Sequence, residues 1–538
     1  MRRSPLFAPL ALVLLVALAA LVGIAASKAL PSNPKPQRAL APGLQLDSAH
    51  EHGSGVPRNG YPGSKTGGVK LADVQPTAYG EAPVIRSHNG VLRVTFAPHE
   101  GSAIINGQRW GGTKTFTSSF PGPTLKVNPG DTIRIHFINK LDQITNLHFH
   151  GFRVSPAGLA DNVLRTIAPA VTSKTVAPKK SVEIVVHIPK GHEQGLYWYH
   201  PHLHGLVDGQ VYPGLEGLIV IGDVLKHFPW LHNIKRRVMA LQAPEFGDDN
   251  NLVSIANADI KKSTTLINGH YHPTLSIHPG ELQLWEIANI TNEGWYRLFM
   301  GGLKFYVIGE DGNPVGHTWS TRRLLVPPAK RFEFLVRGPA HGTYKFENLA
   351  FNQGHVQFGE FKIATLVSQG PGVKPLKIPH LVSRQQAGLI HDIQNDRVYK
   401  HRQLTFSIEN PFPKDANAFK INKKLYNPHI VDEKVNLGTT EEWLLRNTSP
   451  EDHPFHIHTN DFIVEKVNGH KVSIHGFQDT VKILRQINGK PGTVLIRQRY
   501  RKFQGEAVFH CHILFHEDHA MMGNIVFGPR VRNPSLGK

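Results

Sequence analysis

Pro123-Thr124-Leu125-Lys126-Val127-Asn128-Pro129-Gly130-Asp131, followed by Asn139, recurs 150 residues later as Pro273-Thr274-Leu275-Ser276-Ile277-His278-Pro279-Gly280-Glu281, followed by Asn289. A shorter third copy, Leu437-Gly438-Thr439-Thr440-Glu441, leads to Asn447, again nine residues after its glycine. Self-similarity at a fixed spacing marks repeated structural units, so the chain holds three related domains. A second marker closes each unit: Gly195-Leu196-Tyr197-Trp198-Tyr199, Gly342-Thr343-Tyr344-Lys345-Phe346 and Gly505-Glu506-Ala507-Val508-Phe509. Each reads as a late aromatic strand.

Around these markers the sequence alternates apolar and polar residues in short runs, for example Val91-Leu92-Arg93-Val94-Thr95-Phe96 and Thr132-Ile133-Arg134-Ile135-His136-Phe137. Period-two alternation broken by Gly, Pro and Asn is the pattern of half-buried strands, so the fold class is all-β, as sandwiches. The repeats divide the body into domain 1 at 82–225, domain 2 at 226–375 and domain 3 at 376–532. Residues 31–81, rich in Pro, Gly, Ser and Asn, read as a linker, with the body beginning near Pro83.

Residues 1–30 open with Met1-Arg2-Arg3, then about 19 mostly apolar residues up to Ile24, then Ala25, Ala26 and Ser27. That is an export signal, for which Arg2-Arg3 allows the twin-arginine route; uncleaved, it would serve as a membrane anchor. The expectation is an exported, periplasmic, cell-surface or secreted protein that is a monomer. The 538 residues are 40% hydrophobic and 19% charged, which excludes collagen, coiled coil and wholly disordered chains. The net charge of +19 is carried in short clusters, chiefly Lys235-Arg236-Arg237 and Arg499-Tyr500-Arg501-Lys502. Lying beside strand-like stretches, they read as a solvated face and not as a nucleic-acid groove.

The chemistry lies in the histidines. Counted from the repeated Asn, positions plus nine and plus eleven are His148 and His150 in domain 1, His456 and His458 in domain 3, and Leu298 and Met300 in domain 2. Counted from the glycine of the late strand, plus five and plus seven are His200 and His202, His510 and His512, and in domain 2 Glu347 and Leu349. Residues i and i+2 of a strand share a face, and neutral imidazole is the commonest ligand for copper, zinc and iron. Eight imidazoles drawn equally from domains 1 and 3 therefore predict several metal ions where those domains meet, with domain 2 as a spacer.

Cys511, the single cysteine, lies between His510 and His512, with His453 three residues before His456 and His516 five residues after Cys511. Two imidazoles and a thiolate make a trigonal blue-copper set, with a weak axial thioether available from Met521 or its neighbour Met522. The corresponding residues of domain 1 are Thr145, Pro201 and Leu206, which build no such centre. A mononuclear centre joined through adjacent residues to a histidine cluster suits stepwise reduction of dioxygen to water.

The segments His148-Phe149-His150-Gly151, His200-Pro201-His202, His453-Pro454-Phe455-His456-Ile457-His458 and His510-Cys511-His512 running on to His516 and Met521 resemble the three-domain, laccase-like bacterial multicopper oxidases. The resemblance implies three consecutive cupredoxin domains, each a Greek-key β-sandwich, and four copper ions. It assigns His453, Cys511, His516 and Met521 to a type 1 copper and His148 and His456 to a type 2 copper. The type 3 pair falls to His150, His200 and His512 on one ion and His202, His458 and His510 on the other. It further likens Glu517 to the acid that spore-coat laccases place beside the trinuclear cluster, and Asp161 to the family's acid near the type 2 copper. A surface Glu and a turn Asp are the plain alternatives for these two candidate catalytic residues.

The implied activity is a copper-dependent oxidase that couples one-electron oxidation of phenols or aromatic amines to four-electron reduction of dioxygen to water. No cofactor beyond copper is called for. Metal-ion donors, Fe(II), Mn(II) or Cu(I), are the alternative, although only five Met in the chain argue against a Cu(I) oxidase. A copper-free exported cupredoxin scaffold is the other alternative, opposed by the complete ligand set. The family pattern breaks at Thr459-Asn460-Asp461, where Gly-His often follows, and at Phe477-Gln478 before Asp479-Thr480-Val481, where Trp is common; both breaks are expected near the donor site. His50, His52, His270 and His272 fall outside the registers and are expected to be solvent-exposed, and His204 and His519 to lack partners.

Overall fold

The computed structural model describes residues 77–530 except 157, 169–170, 173–174, 177–180 and 410–417. The expected export segment, most of the linker and His50 and His52 lie outside the described residues. Among the described residues no helix is long and apolar enough to cross a membrane.

Each repeated asparagine performs the same task. Asn139, Asn289 and Asn447 are fully buried at the end of a strand. Their side-chain amides donate to two carbonyls each: Gln143 and Ile167, Gly294 and Val326, Glu451 and Ile483. Their Oδ1 atoms accept from the backbone N–H two residues on, at Leu141, Thr291 and Ser449. A buried amide satisfied on both sides is a strong local constraint, and here it fixes the loop that delivers the next strand. The preceding turns need a left-handed backbone, which Gly130, Gly280 and Gly438 supply at φ 95, 82 and 85°.

The topology repeats with the sequence. The strand that ends at or beside the asparagine, Thr132–Ile138, Leu282–Asn289 or Thr440–Asn447, pairs in parallel with an early strand of its unit, Val91–Phe96, Arg236–Gln242 or Val398–Ile408. The strand at each repeat, Gly122–Val127, Thr274–Ile277 or Glu433–Leu437, pairs in parallel with the unit's last strand, Gly217–Ile221, Phe361–Ser368 or Met522–Arg530. Each unit is thus two sheets, of five and three, seven and five, and six and five strands, closed over its own apolar core. These are three cupredoxin-type sandwiches.

The outer face of the domain 1 strand Gly195–His200 packs Leu196 and Trp198 against Val238, Ala240 and Ala288 of domain 2. Trp198 is fully buried, and its truncation to Ala would cost about 3–5 kcal/mol. A twelve-residue helix, Arg384–Asn395, stands out in a chain whose other helices among the described residues are of three to five residues. Ser383 caps it by accepting from the Gln386 N–H, and Ile390 and Ile393 pack against Ile463.

Some expectations are corrected. The chain is already packed before Pro83: the Tyr79 N–H donates to the Thr274 carbonyl and its hydroxyl to that of Val238. Arg237 is buried and donates to Gln283 and the Ser276 carbonyl, so it does not belong to a solvated face. His270 and His272 are half-buried and His270 contacts the Thr77 hydroxyl at 3.0 Å, because this hairpin lies under the chain entering the fold.

Candidate metal centre

Strand pairing brings the histidines together. The ladder sets His148 opposite His200 in domain 1 and His456 opposite His510 in domain 3. Phe149, Phe455 and Ile457, one residue out of phase, point into the cores, so the histidines face the seam. Across it His148 stacks on His458 at 4.1 Å and His150 on His456 at 3.9 Å. The donor atoms fall into groups within 4.8 Å of one another: His150, His200 and His512; His202, His458 and His510; His148, His150 and His456.

The outward nitrogens are already engaged. His148 Nδ1 donates to Asp161 Oδ1 at 2.7 Å, and the Nδ1 atoms of His200, His456 and His510 donate to the carbonyls of Pro201, Asp479 and Cys511. A carbonyl only accepts, so the proton sits on Nδ1 and the lone pair on Nε2. The Nε2 atoms of His148, His200 and His456 are buried without a hydrogen-bond partner. Those of His202, His458 and His510 form a triangle with sides of 3.1, 3.1 and 3.3 Å. Its centre lies about 1.8 Å from each nitrogen, near the ~2 Å of an imidazole–metal bond. Burial first, then mutual repulsion, pushes His148, His150, His458 and His512 well below the usual histidine pKa. They are held neutral, which is the ligating form.

The second centre uses the opposite nitrogen. Cys511 Sγ lies 3.4 Å from His453 Nδ1 and 3.5 Å from His516 Nδ1. His453 Nε2 contacts the Ser449 hydroxyl at 2.6 Å, and His516 Nε2 lies 3.3 Å from Glu451 Oε1. Burial raises the Cys511 thiol pKa well above normal, so a thiolate here requires a bound cation. The orphaned Nε2 atoms and the buried thiol both fit copper. Met521 closes onto this centre: the Cys511 N–H donates to its carbonyl and its own N–H donates to that of His516, and it packs in the same core as Cys511. Met522 instead packs with Val163 and Val508.

Both acids are buried, against the surface alternative for Glu517; Asp161 does lie at a bend, but with its carboxyl turned inward. Asp161 is clamped by His148 and by the Phe149 N–H. Glu517 contacts His202 Nδ1 at 3.3 Å and His510 Nδ1 at 2.9 Å, and burial raises its pKa to about 7. His204 and His519 do have partners, Tyr426 and the Phe515 carbonyl.

Sequence reasoning missed the role of Asp479 and its domain 2 support. Asp479 Oδ1 lies 3.5 Å from His150 Nε2 and 3.6 Å from His456 Nδ1. Arg331 of domain 2 holds it with two hydrogen bonds, at 2.7 and 2.6 Å. Asp311 in turn accepts from the N–H groups of Arg331, Asp479 and Thr480 and pairs with Lys330. Burial opposes the Asp479 charge, but Arg331 prevails and holds its pKa far below the usual range. Phe477 and Gln478 accordingly sit on this side, Gln478 on Lys330 and Phe477 beside Arg153, and not at the edge formed by His453 and His516. The Asp479-Thr480-Val481 motif was the available signal; its partner Arg331 carries none in sequence.

Family models described as multicopper oxidase match residues 101–225, 243–370 and 397–531. The chain belongs to the multicopper oxidases. It is a copper-dependent oxidoreductase, and its histidine groups are those of a copper protein. Multicopper oxidase mco of Staphylococcus aureus is 26% identical over 450 residues, covering 82% of this chain and 89% of the relative. The laccase of Bacillus subtilis is 24% identical over 486 residues, covering 77% and 89%. The cell division protein FtsP of Photorhabdus laumondii is 24% identical over 440 residues, covering 77% and 85%. Among solved structures, a multicopper oxidase from Campylobacter jejuni described as a metallo-oxidase shares the fold with a TM-score of 0.69 at 23% identity, covering 85% of this chain and 96% of that one.

Proposed function

We propose that this multicopper oxidase couples one-electron oxidation of a small donor to reduction of dioxygen, four electrons and four protons yielding two waters. In this reading four coppers bind: type 1 at His453, Cys511, His516 and Met521, type 2 at His148 and His456, and a type 3 pair at His150, His200 and His512 and at His202, His458 and His510. Copper supplies the one-electron redox chemistry that the polypeptide lacks. The observation that carries the reading is the continuity of His510-Cys511-His512, which links the thiolate centre to two of the cluster's histidine groups within one segment.

The protein's own groups orient and protonate. Asp161 and the Pro201, Asp479 and Cys511 carbonyls fix imidazole tautomers. Glu517, against His202 and His510, is the carboxyl placed to deliver protons, with Asp161 as the second acid. Phenols and aromatic amines are the default donors. Metal-ion donors are the alternative; the carboxyl beside the outer nitrogen of His516 is Glu451, at 3.3 Å, whose pKa burial raises to about 7. We further propose an exported monomer, with the apolar N-terminal segment as signal or anchor.

Copper analysis and oxygen uptake with phenols, aromatic amines, Fe(II) and Mn(II) test this. About four coppers per chain and donor-dependent uptake are expected; no bound copper would instead favour the copper-free scaffold, a role other than oxidation of the kind suggested by a relative named a cell division protein.

A further inference from the structure

The two breaks in the family pattern and the densest basic run, distant in sequence, line one cleft of about 100 Å³ where domains 1 and 3 meet the helix Arg384–Asn395. Thr459 and Asp461 come from the first break, Phe477 from the second, Arg501 and Lys502 from the run, and Arg153 from domain 1.

Thr459 has φ 63°. A β-branched residue in the left-handed region is strained, and it stands where the family often has glycine. Strain of this kind persists where the surroundings over-determine it, commonly at ligand clamps. Its hydroxyl accepts from Asn460 Nδ2 at 3.1 Å, which directs both side chains along the cleft wall.

The cations are unevenly compensated. Arg153 lies between Glu193 at 3.3 Å and Asp461 at 3.2 Å, and Arg499 pairs with Asp396. Asp461, the acid that lines the cleft, is thereby held by Arg153. Arg501 and Lys502 make no hydrogen bond or ion pair with any of the described residues. Partial desolvation and the neighbouring Arg499 charge press the Arg501 pKa downward, outweighing the pull of the nearby Asp396 and Asp392 carboxylates. The half-buried apolar side chains of Phe477 and Leu389 line the cleft beside these charges.

We propose that this cleft binds a small multivalent oxyanion through Arg501 and Lys502. Its volume of about 100 Å³ admits a phosphate-sized group. A guanidinium fork and an ammonium are the donors that suit such oxygens. The site adjoins the copper cluster, since Arg153 follows His150 by three residues and Asp461 follows His458 by three.

Calorimetric titration of the copper-loaded protein with inorganic phosphate, at ionic strength held constant with chloride, tests the proposal. One phosphate per chain is expected. Arg501→Gln with Lys502→Gln should weaken binding at least ~10-fold, the scale of losing charge-assisted hydrogen bonds, while Arg501→Lys retains part of the affinity. Lys374→Gln with Lys377→Gln removes two charges from exposed positions elsewhere and should leave the affinity within about twofold. Absence of phosphate binding, unchanged binding in the Arg501/Lys502 pair, or equal weakening in both pairs would overturn it. All of these residues are exposed, so thermal melting should match wild type and a folding defect is distinguishable from lost binding.

Discussion

Domains 1 and 2 carry the same strand pair with opposite outcomes. In domain 1 His148 faces His200 across the ladder, and Phe149 points into the core. In domain 2 the late strand keeps this phase, but its neighbour Tyr296–Met300 is offset by one residue: Phe299, not Leu298, faces Glu347. Because side chains alternate with period two, a one-residue offset reverses every face. Leu298 and Met300 therefore lie in the core of domain 2, and the spatial counterpart of His148 is Phe299. Domain 2 lacks the paired histidines for a reason of register as well as residue type. Nor is it only a spacer, since its Arg331 anchors Asp479 beside His150 and His456.

Removing the thiolate is the harshest test of the seam. Cys511→Ser should abolish the blue absorption and donor turnover while cluster copper is retained; a variant that stayed blue would remove Cys511 from the mononuclear centre. Next in size, Glu517→Gln keeps the contacts' shape but cannot release a proton. It should preserve the blue band and anaerobic reduction while slowing reoxidation by dioxygen by about 100-fold, most steeply at high pH, where solvent protons cannot substitute. Wild-type reoxidation at all pH values would leave Asp161 as the acid.

Arg331→Met tests the contribution of domain 2. It strands the Asp479 charge in the interior, which costs about 3–5 kcal/mol, and as loss of a positioning group should lower cluster copper affinity about 10–100-fold. The type 2 paramagnetic resonance signal should shift, with Arg331→Lys restoring part of it; a stability loss with an unaltered signal would confine Arg331 to structure. The offset itself is tested by paired substitutions. Leu298→His, which buries an imidazole in an apolar core, should destabilise by about 1–3 kcal/mol, whereas Phe299→His, half-buried, should cost under about 1 kcal/mol. Equal melting temperatures would argue for the unshifted register. The smallest effect is expected at the axial position, where Met521→Leu should raise the blue-centre potential in a redox titration and Met522→Leu should leave it unchanged.

Much of the site was legible because copper ligation and strand geometry both write themselves locally. A His-x-His puts two imidazoles on one face whatever surrounds it, and the asparagine repeat fixes the loop that presents them, so the positions of the clustered histidines in domains 1 and 3 follow from counting. The same counting failed in domain 2, where the pairing register depends on the partner strand and on the length of the loop after Asn289. Which of Met521 and Met522 packs with Cys511 was open for a related reason: adjacent residues turn to different sides, and only the packed core shows that Met521 shares the core of Cys511.

What the sequence determined by itself was the three-fold all-β repeat, the registers of the clustered histidines, and the placing of the lone cysteine between two of them, because each rests on residue type and spacing within one segment. The tertiary structure decided which nitrogen of each imidazole faces the centre, the burial of Asp161 and Glu517, the Arg331–Asp479 clamp and the basic cleft. These are meetings of segments up to several hundred residues apart, from His150 to Asp479 and from Arg153 to Arg501. Charge pairing and desolvation act through space and not along the chain, so no local pattern records them.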